Sequence, residues 1–346
     1  MKPRFHLRWV LAVLFMSPMS SLAQDKDKDK KAAEPAPDLP KNAAVVAIQT
    51  EDGVILIATY WKPKKQGKSV GVVIVPNPRG HTQRECYTFA DELCNEGLAV
   101  VTFDHRGSGQ STQIVSTAAT TKKSDSGQIR SEDVLKNAQT IEKLTIDLDA
   151  VKQFLLRENN AEKLNIRQSS ILAVGDLATV VALNWVATRE YGNKRDYTRD
   201  GGDLAAMCVV SPALQYKSYR APQKLGDTEE RMLPIYLIST NTRNAPSLEA
   251  SEKLSRLLKI HDLAKKGNED RKARPGGWTK AAGKKAAKGQ TADIGIELFR
   301  GPETAELRRG ILGFLLERTK SRRDIAWEGG RDVDQSFKII SRSDQE

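Results

Sequence analysis

Residues 70–111 read VGVVIVPNPRGHTQRECYTFADELCNEGLAVVTFDHRGSGQS, and they set the fold. Val70–Val75 is a continuous apolar run bounded by Gly and Pro, the pattern of a strand covered on both faces. Glu85–Glu96 is predicted helical, with Phe89 and Leu93 on one face, and Leu98–Phe103 is a second buried strand. Strand, helix and strand in this order imply a right-handed crossover between two parallel strands.

The alternation continues outward. Upstream, Ala44–Trp61 reads as a hairpin, with two β-rich runs flanking the turn signal Glu51-Asp52-Gly53. Downstream, Leu144, Leu148, Val151 and Leu155 recur at helical spacing, Ser170–Val174 is a strand, and Val180–Ala187 is an apolar helix. Leu204–Val210 and Pro234–Ser239 are two more strands, and Leu248, Leu254, Leu257 and Leu258 belong to a helix. Ile294–Phe299 is read as a sixth strand, and Leu307, Ile311 and Leu315 mark a final helix. The expected architecture is a three-layer α/β fold with a mostly parallel twisted sheet and an antiparallel hairpin at its N-terminal end. Sites in such sheets form at the carboxyl ends of the strands.

The chain has 346 residues, 39% hydrophobic and 29% charged, enough for one sizeable core with polar segments outside it. No apolar run reaches the roughly 18 residues of a membrane span. Residues 1–23 read as a secretory signal peptide. Lys2, Arg4 and Arg8 precede the apolar run Trp9–Met16, and Ser21-Leu22-Ala23 supplies small residues for cleavage after Ala23. An exported protein, periplasmic or secreted, is expected. Residues 24–43 alternate charge with Pro and read as a flexible tether, ahead of a domain over 44–318. The charged tail, 319–346, carries Trp327, Phe337 and Ile339-Ile340, which leave open whether it docks. Cys86 and Cys94 lie about 12 Å apart along one predicted helix, beyond disulfide reach, and Cys208 sits in an apolar strand, so all three read as buried free thiols. No Cys/His spacing resembles a zinc site, and no cofactor is implied.

This order of elements, over roughly 44–318, resembles the α/β-hydrolase superfamily, in particular its serine-aminopeptidase and esterase-like branch. Thr50–Gly53 is similar to the family's opening hairpin turn, and VVIVPNPRG (72–80) to its apolar strand and His-Gly loop. FDHRGSGQS (103–111) is similar to its D-x-R-G-x-G-x-S loop, the most specific match. Ile171–Leu183 falls in the nucleophile-elbow slot, Val209–Ala213 in the following strand, and Pro234–Asn244 in the strand that carries the acid. The resemblance implies three side chains in chain order: a nucleophile on a strained strand-to-helix turn, an acid, and a His that moves the proton.

All three slots depart from that pattern. The elbow reads AVGDLAT (173–179), and two registers are open. One puts Leu177 in the nucleophile position; the other puts Asp176 there, flanked by Val174 and Ala178, and keeps the helix pattern in phase. Asp serves as nucleophile in the family's dehalogenase and epoxide-hydrolase branches, but that chemistry still needs a His. No His follows residue 261, and His261 falls about 20 Å along a helix from the strand end. The acid slot holds Thr242 and Arg243, with no carboxylate before Glu249. The oxyanion-loop positions are Pro76, Asn77 and Pro78, where a proline offers no N–H. The literal G-x-S-x-G at 67–71 precedes a strand rather than following one, and is no elbow.

The expected function is therefore an exported pseudo-hydrolase with a binding or scaffolding role. The alternative is an active hydrolase of ester, amide or peptide bonds with a non-standard triad drawn from His105, Ser108, Ser111 and Asp176 near the strand ends. Residues 259–290 hold ten Lys/Arg against three Asp/Glu and read as a disordered basic insertion. Lys265, Lys266, Arg271, Lys272, Arg274, Lys280, Lys284, Lys285 and Lys288 are candidate contacts to an acidic polymer or envelope component, a second alternative. An exported address and a single Trp in that stretch make nucleic acid a poor fit.

Overall fold

The computed structural model describes residues 39–115, 127–190, 202–222, 233–240, 246–257, 277–281, 295–300, 302–323 and 325–340. The signal-peptide and most of the tether reading lie outside these residues. The expected hairpin is present as β1 (Ala43–Gln49) and β2 (Val54–Trp61), in antiparallel register from Ala43↔Trp61 to Gln49↔Ile55. β3 (Val72–Pro76), α1 (Tyr87–Asn95) and β4 (Ala99–Phe103) form the first crossover unit. A short β5 (Gln113–Ile114), which pairs with β2, precedes α2 (Ser131–Val134), α3 (Ala138–Glu142) and α4 (Leu144–Asn160). Then come β6 (Ser169–Val174), α5 (Asp176–Trp185), β7 (Leu204–Val210) and a small hairpin, β8 (Gln215–Tyr216) and β9 (Tyr219–Arg220). β10 (Ile235–Thr240), α6 (Pro246–Leu257), β11 (Gly277–Ala281), α7 (Ala305–Ser321) and β12 (Lys338–Ile340) complete the described elements.

The main sheet runs β11-β10-β7-β6-β3-β4-β2-β1-β12. From β11 to β4 each neighbouring pair is parallel; β2, β1 and β12 pair antiparallel. The chain leaves β3 on one side toward β4 and later returns to its other side as β6. That reversal opens a crevice at the carboxyl ends of β3 and β6.

The apolar runs are continuous because each strand is covered on both faces. Val72 and Ile74 of β3, with Ile171 and Ala173 of β6, pack with Leu148, Val151 and Leu155 of α4. Their alternates Val73, Val75, Leu172 and Val174 pack with Phe89 and Leu93 of α1 and Ile311 and Leu315 of α7. Each large side chain so buried is worth about 1.5–3 kcal/mol. Cys86, Cys94 and Cys208 are free and buried, as expected, and burial pushes all three thiols up from the ordinary value.

Two expectations are corrected. Residues 295–299 form a 3₁₀ turn, not a strand: Gly295 takes φ +42, which breaks an extended run, and Leu298 and Phe299 are buried together. The last parallel strand is Gly277–Ala281, inside the segment read as disordered, in register with β10 from Tyr236↔Gly277 to Thr240↔Ala281.

The tail docks as far as residue 340. Phe337 is buried in the core on the α4 side, and β12 pairs with β1 from Ala47↔Ile340 to Gln49↔Lys338. Asn160 Nδ2 donates to the Arg331 carbonyl at 2.8 Å, and Asn159 Nδ2 to the Glu328 carbonyl at 2.8 Å. Arg331 also donates to Asp203 at 2.6 Å, while Lys152 lies 2.6 Å from Glu190 and 2.9 Å from Asp203. Burial alone would raise the Asp203 carboxyl; Lys152 and Arg331 outweigh it and hold the group below the ordinary carboxylate value of 3.8. A depressed carboxylate contributes stability above its unfolded value and loses it as pH falls. The Asp203 contribution is therefore complete above about pH 4 and drains below it. Arg331→Ala is expected to move the acid-unfolding midpoint, followed by circular dichroism, to higher pH.

Candidate functional site

The loops that follow β3, β4, β6 and β7 all leave the sheet at this end. Asn77 joins the first two. Its Nδ2 donates to the His81 carbonyl at 2.7 Å and to Ser108 Oγ at 3.1 Å, and its Oδ1 accepts from His105 N at 2.8 Å. Its backbone N–H donates to the Phe103 carbonyl at 3.0 Å. With Pro76 and Pro78 on either side, residues 76–78 have no N–H left for an oxyanion.

The loop after β4 is a structural lock. Asp104 accepts from Gln83 N at 2.7 Å and from Gln110 N at 3.2 Å, and burial raises its carboxyl from the ordinary value. A Cβ on Gly109, which has φ +52, would stand 2.1 Å from Asp104 Oδ2, so only glycine fits. Arg106 is buried between two carboxylates. Nε donates to Asp147 Oδ1 at 2.7 Å, its backbone N–H to Oδ2 at 2.9 Å, and Nη1 and Nη2 to Asp52 at 2.6 and 3.1 Å. Burial would lower the Arg106 pKa, but Asp147 and Asp52 raise it, so the cation is held.

Of the candidate triad residues here, Ser111 is fully buried; its Oγ donates to the Asp104 carbonyl at 2.7 Å and accepts from Ile57 N at 2.8 Å. Ser108 Oγ donates to the His105 carbonyl at 2.7 Å. His105 is 4% exposed, with its ring edge-on to Phe103 at 4.9 Å. Nδ1 lies 3.5 Å from Asp147 Oδ2, too long for a hydrogen bond, and neither ring nitrogen is bonded among the described residues. The loop brings these three together, but neither hydroxyl is bonded to the imidazole.

The elbow is the turn from β6 into α5. Its positive φ falls on Gly175, at φ +87 and ψ −177, and Asp176 is already the first residue of α5. The strained position therefore carries no side chain. Leu177 is buried in the core. Asp176 faces the mouth, where Arg79 grips it: Nε to Oδ1 at 3.1 Å and Nη2 to Oδ2 at 3.0 Å. The Arg79 Cζ also stands 5.3 Å from the centre of the Tyr216 ring. The bond to Asp176 raises the Arg79 pKa.

No family model matches the sequence, and no curated protein is similar to it. Solved structures are. A hypothetical protein of Pseudomonas aeruginosa aligns over 81% of this chain and 95% of its own, at 14% identity and a TM-score of 0.53. DcsB, solved with a substrate analogue, aligns over 80% and 99% at 11% identity and a TM-score of 0.51. Dipeptidyl peptidase 4 of Porphyromonas gingivalis aligns over 80% of this chain but 35% of its own, at 13% identity and a TM-score of 0.52. The chain has the α/β-hydrolase fold.

Within the α/β-hydrolase fold the acid slot, Thr242 and Arg243, lies outside the described residues, as do His261, Lys265, Lys266, Arg271, Lys272, Arg274, Lys284, Lys285 and Lys288. Lys280 falls in β11. Among the described residues no three His, Cys, Asp or Glu side chains are placed to hold a metal ion.

Three features escape the sequence. Arg79 joins the oxyanion loop to the elbow across 97 residues, and no spacing rule connects such a pair. His81 Nδ1 lies 2.9 Å from Glu85 Oε1, and Arg300 grips the other oxygen of the same carboxylate; an i,i+4 His–Glu pair was legible in principle. Ser211, at the end of β7, is buried with φ +50, and its Oγ accepts from Gly295 N at 3.3 Å. Removing one partner of a buried ion pair costs about 3–5 kcal/mol, and an exposed pair is worth under about 1 kcal/mol. Arg106→Ala is therefore expected to destabilise the fold severalfold more than Arg79→Ala, measured by urea denaturation.

Proposed function

We propose that this chain is an exported α/β-hydrolase-fold protein that cleaves no bond and uses the mouth of its sheet for binding. The observation that carries the reading is the elbow. Its strained residue is Gly175, which has no nucleophile to present, and the adjacent Asp176 is held by Arg79. Residues 76–78 support the same reading: Pro76 and Pro78 have no N–H and that of Asn77 is spent on Phe103, so an attack would develop negative charge with no donor there to receive it.

The signal-like start of the chain supports export, and among the described residues no helix is long and apolar enough to cross a membrane. Intact-mass analysis of protein recovered from the envelope or medium is expected to place the mature start at Gln24.

A second reading, hydrolysis by a non-standard set, draws on the His81–Glu85 pair. A carboxylate on Nδ1 leaves Nε2 as the acceptor of a proton from water. Purified protein is expected to give no turnover of short p-nitrophenyl esters and no labelling by a fluorophosphonate. Turnover lost in His81→Ala, His105→Ala or Asp176→Asn would establish the hydrolase instead.

Contact of the basic 259–290 segment with an acidic polymer stays a third reading. Lys284→Glu, Lys285→Glu and Lys288→Glu together are the appropriate change, since deleting the segment would also remove β11. Unchanged retention on heparin across a salt series would remove that reading.

A further inference from the structure

We propose that the mouth of the sheet is a recognition site for a guanidinium or alkylammonium group, and that Arg79 is the chain's own occupant of it. The proposal deepens the binding reading above and rests on it. Asp176 presents both carboxylate oxygens to a single guanidinium, at 3.1 and 3.0 Å. This paired geometry is the one by which a carboxylate selects a planar guanidinium. Tyr216 adds its ring, 5.3 Å from the Arg79 Cζ, and an aromatic face attracts a cation independently of the carboxylate.

The receptor and its occupant belong to different kinds of structure. Asp176 heads α5, and Tyr216 lies on a hairpin held to α5 by Asn184 Nδ2, which donates to the Arg220 carbonyl at 2.9 Å. Arg79 comes from a loop, between Pro78 and Gly80. The Arg79 side chain is 49% exposed and that of Asp176 35%, so the occupant can leave into water and a ligand can reach the carboxylate. A pair this exposed is weak, so an external group of the same shape can displace it. Lys217 Nζ also approaches the Tyr216 ring, at 5.8 Å, but it donates to the Leu135 carbonyl at 2.6 Å. Its charge favours a singly charged head over a polyamine. The opposite assignment, an anion taken by Arg79, would require Arg79 to give up a carboxylate fixed on the frame.

The test is isothermal calorimetry on the full-length protein with Nα-acetyl-arginine amide, and with the neutral citrulline analogue as control. Self-occupation lowers apparent affinity by the fraction of sites left free. Arg79→Ala is expected to bind the arginine probe severalfold, up to about sixfold, more tightly than the unaltered protein, and not the citrulline probe. Arg79→Gln, which keeps the loop's bulk, is expected to behave the same way. Asp176→Asn added to Arg79→Ala should abolish the gain, and Tyr216→Leu added to it should weaken binding severalfold. No gain in either Arg79 variant, equal binding of citrulline, or binding of inorganic phosphate that Arg79→Ala destroys would overturn the proposal. Ester turnover in the same samples reports on the non-catalytic reading alone, so the two can fail separately.

Discussion

The buried Arg106 guanidinium is the interaction on which the mouth depends. It ties the β4 loop to α4 through Asp147 and to the β1–β2 turn through Asp52. A fully desolvated cation between two carboxylates is tolerated only because its donors and their oxygens are matched in geometry. With Arg106 fixed, Asp104 and Ser111 can hold the rest of the loop, and Asn77 can fasten it to the loop after β3. The residues of this motif that look chemically able are thus committed to architecture. Ser108 and Ser111 spend their protons on carbonyls, and His105 is buried with its ring edge-on to Phe103.

The fold was legible wherever an apolar run had to be covered on both faces. β3, β4, β6, β7 and β10 all announce themselves in this way, and Leu148, Val151 and Leu155 mark the helix that covers them. β11 was not legible. Gly-Trp-Thr-Lys-Ala sits in lysine-rich surroundings, and what places it is backbone pairing to β10 rather than a side-chain pattern. The run ending at Phe299 erred the other way, because a single glycine conformation turns apolar residues with strand spacing into a helical turn.

The site was half legible. Its empty slots could be read from residue types, since a missing Ser or a proline is visible without coordinates. What fills the space could not. The two registers put Leu177 or Asp176 at the turn, and only the backbone angle of Gly175 shows that the positive φ falls on glycine; Arg79 reaches Asp176 because the β3 loop lies against the head of α5. Long-range pairing of exposed side chains leaves no periodic trace in a sequence.

The pairing of β12 with β1 has a consequence for how the molecule is made. Residues 338–340 cover the edge offered by residues 47–49, so β1 is completed by a strand far downstream of it in the chain. Contacts so distant along the chain are slow to form, because a very large loop must close before they return any energy. Until residues 338–340 have been made and have docked, that margin stays uncovered, an unpaired strand edge open to other chains.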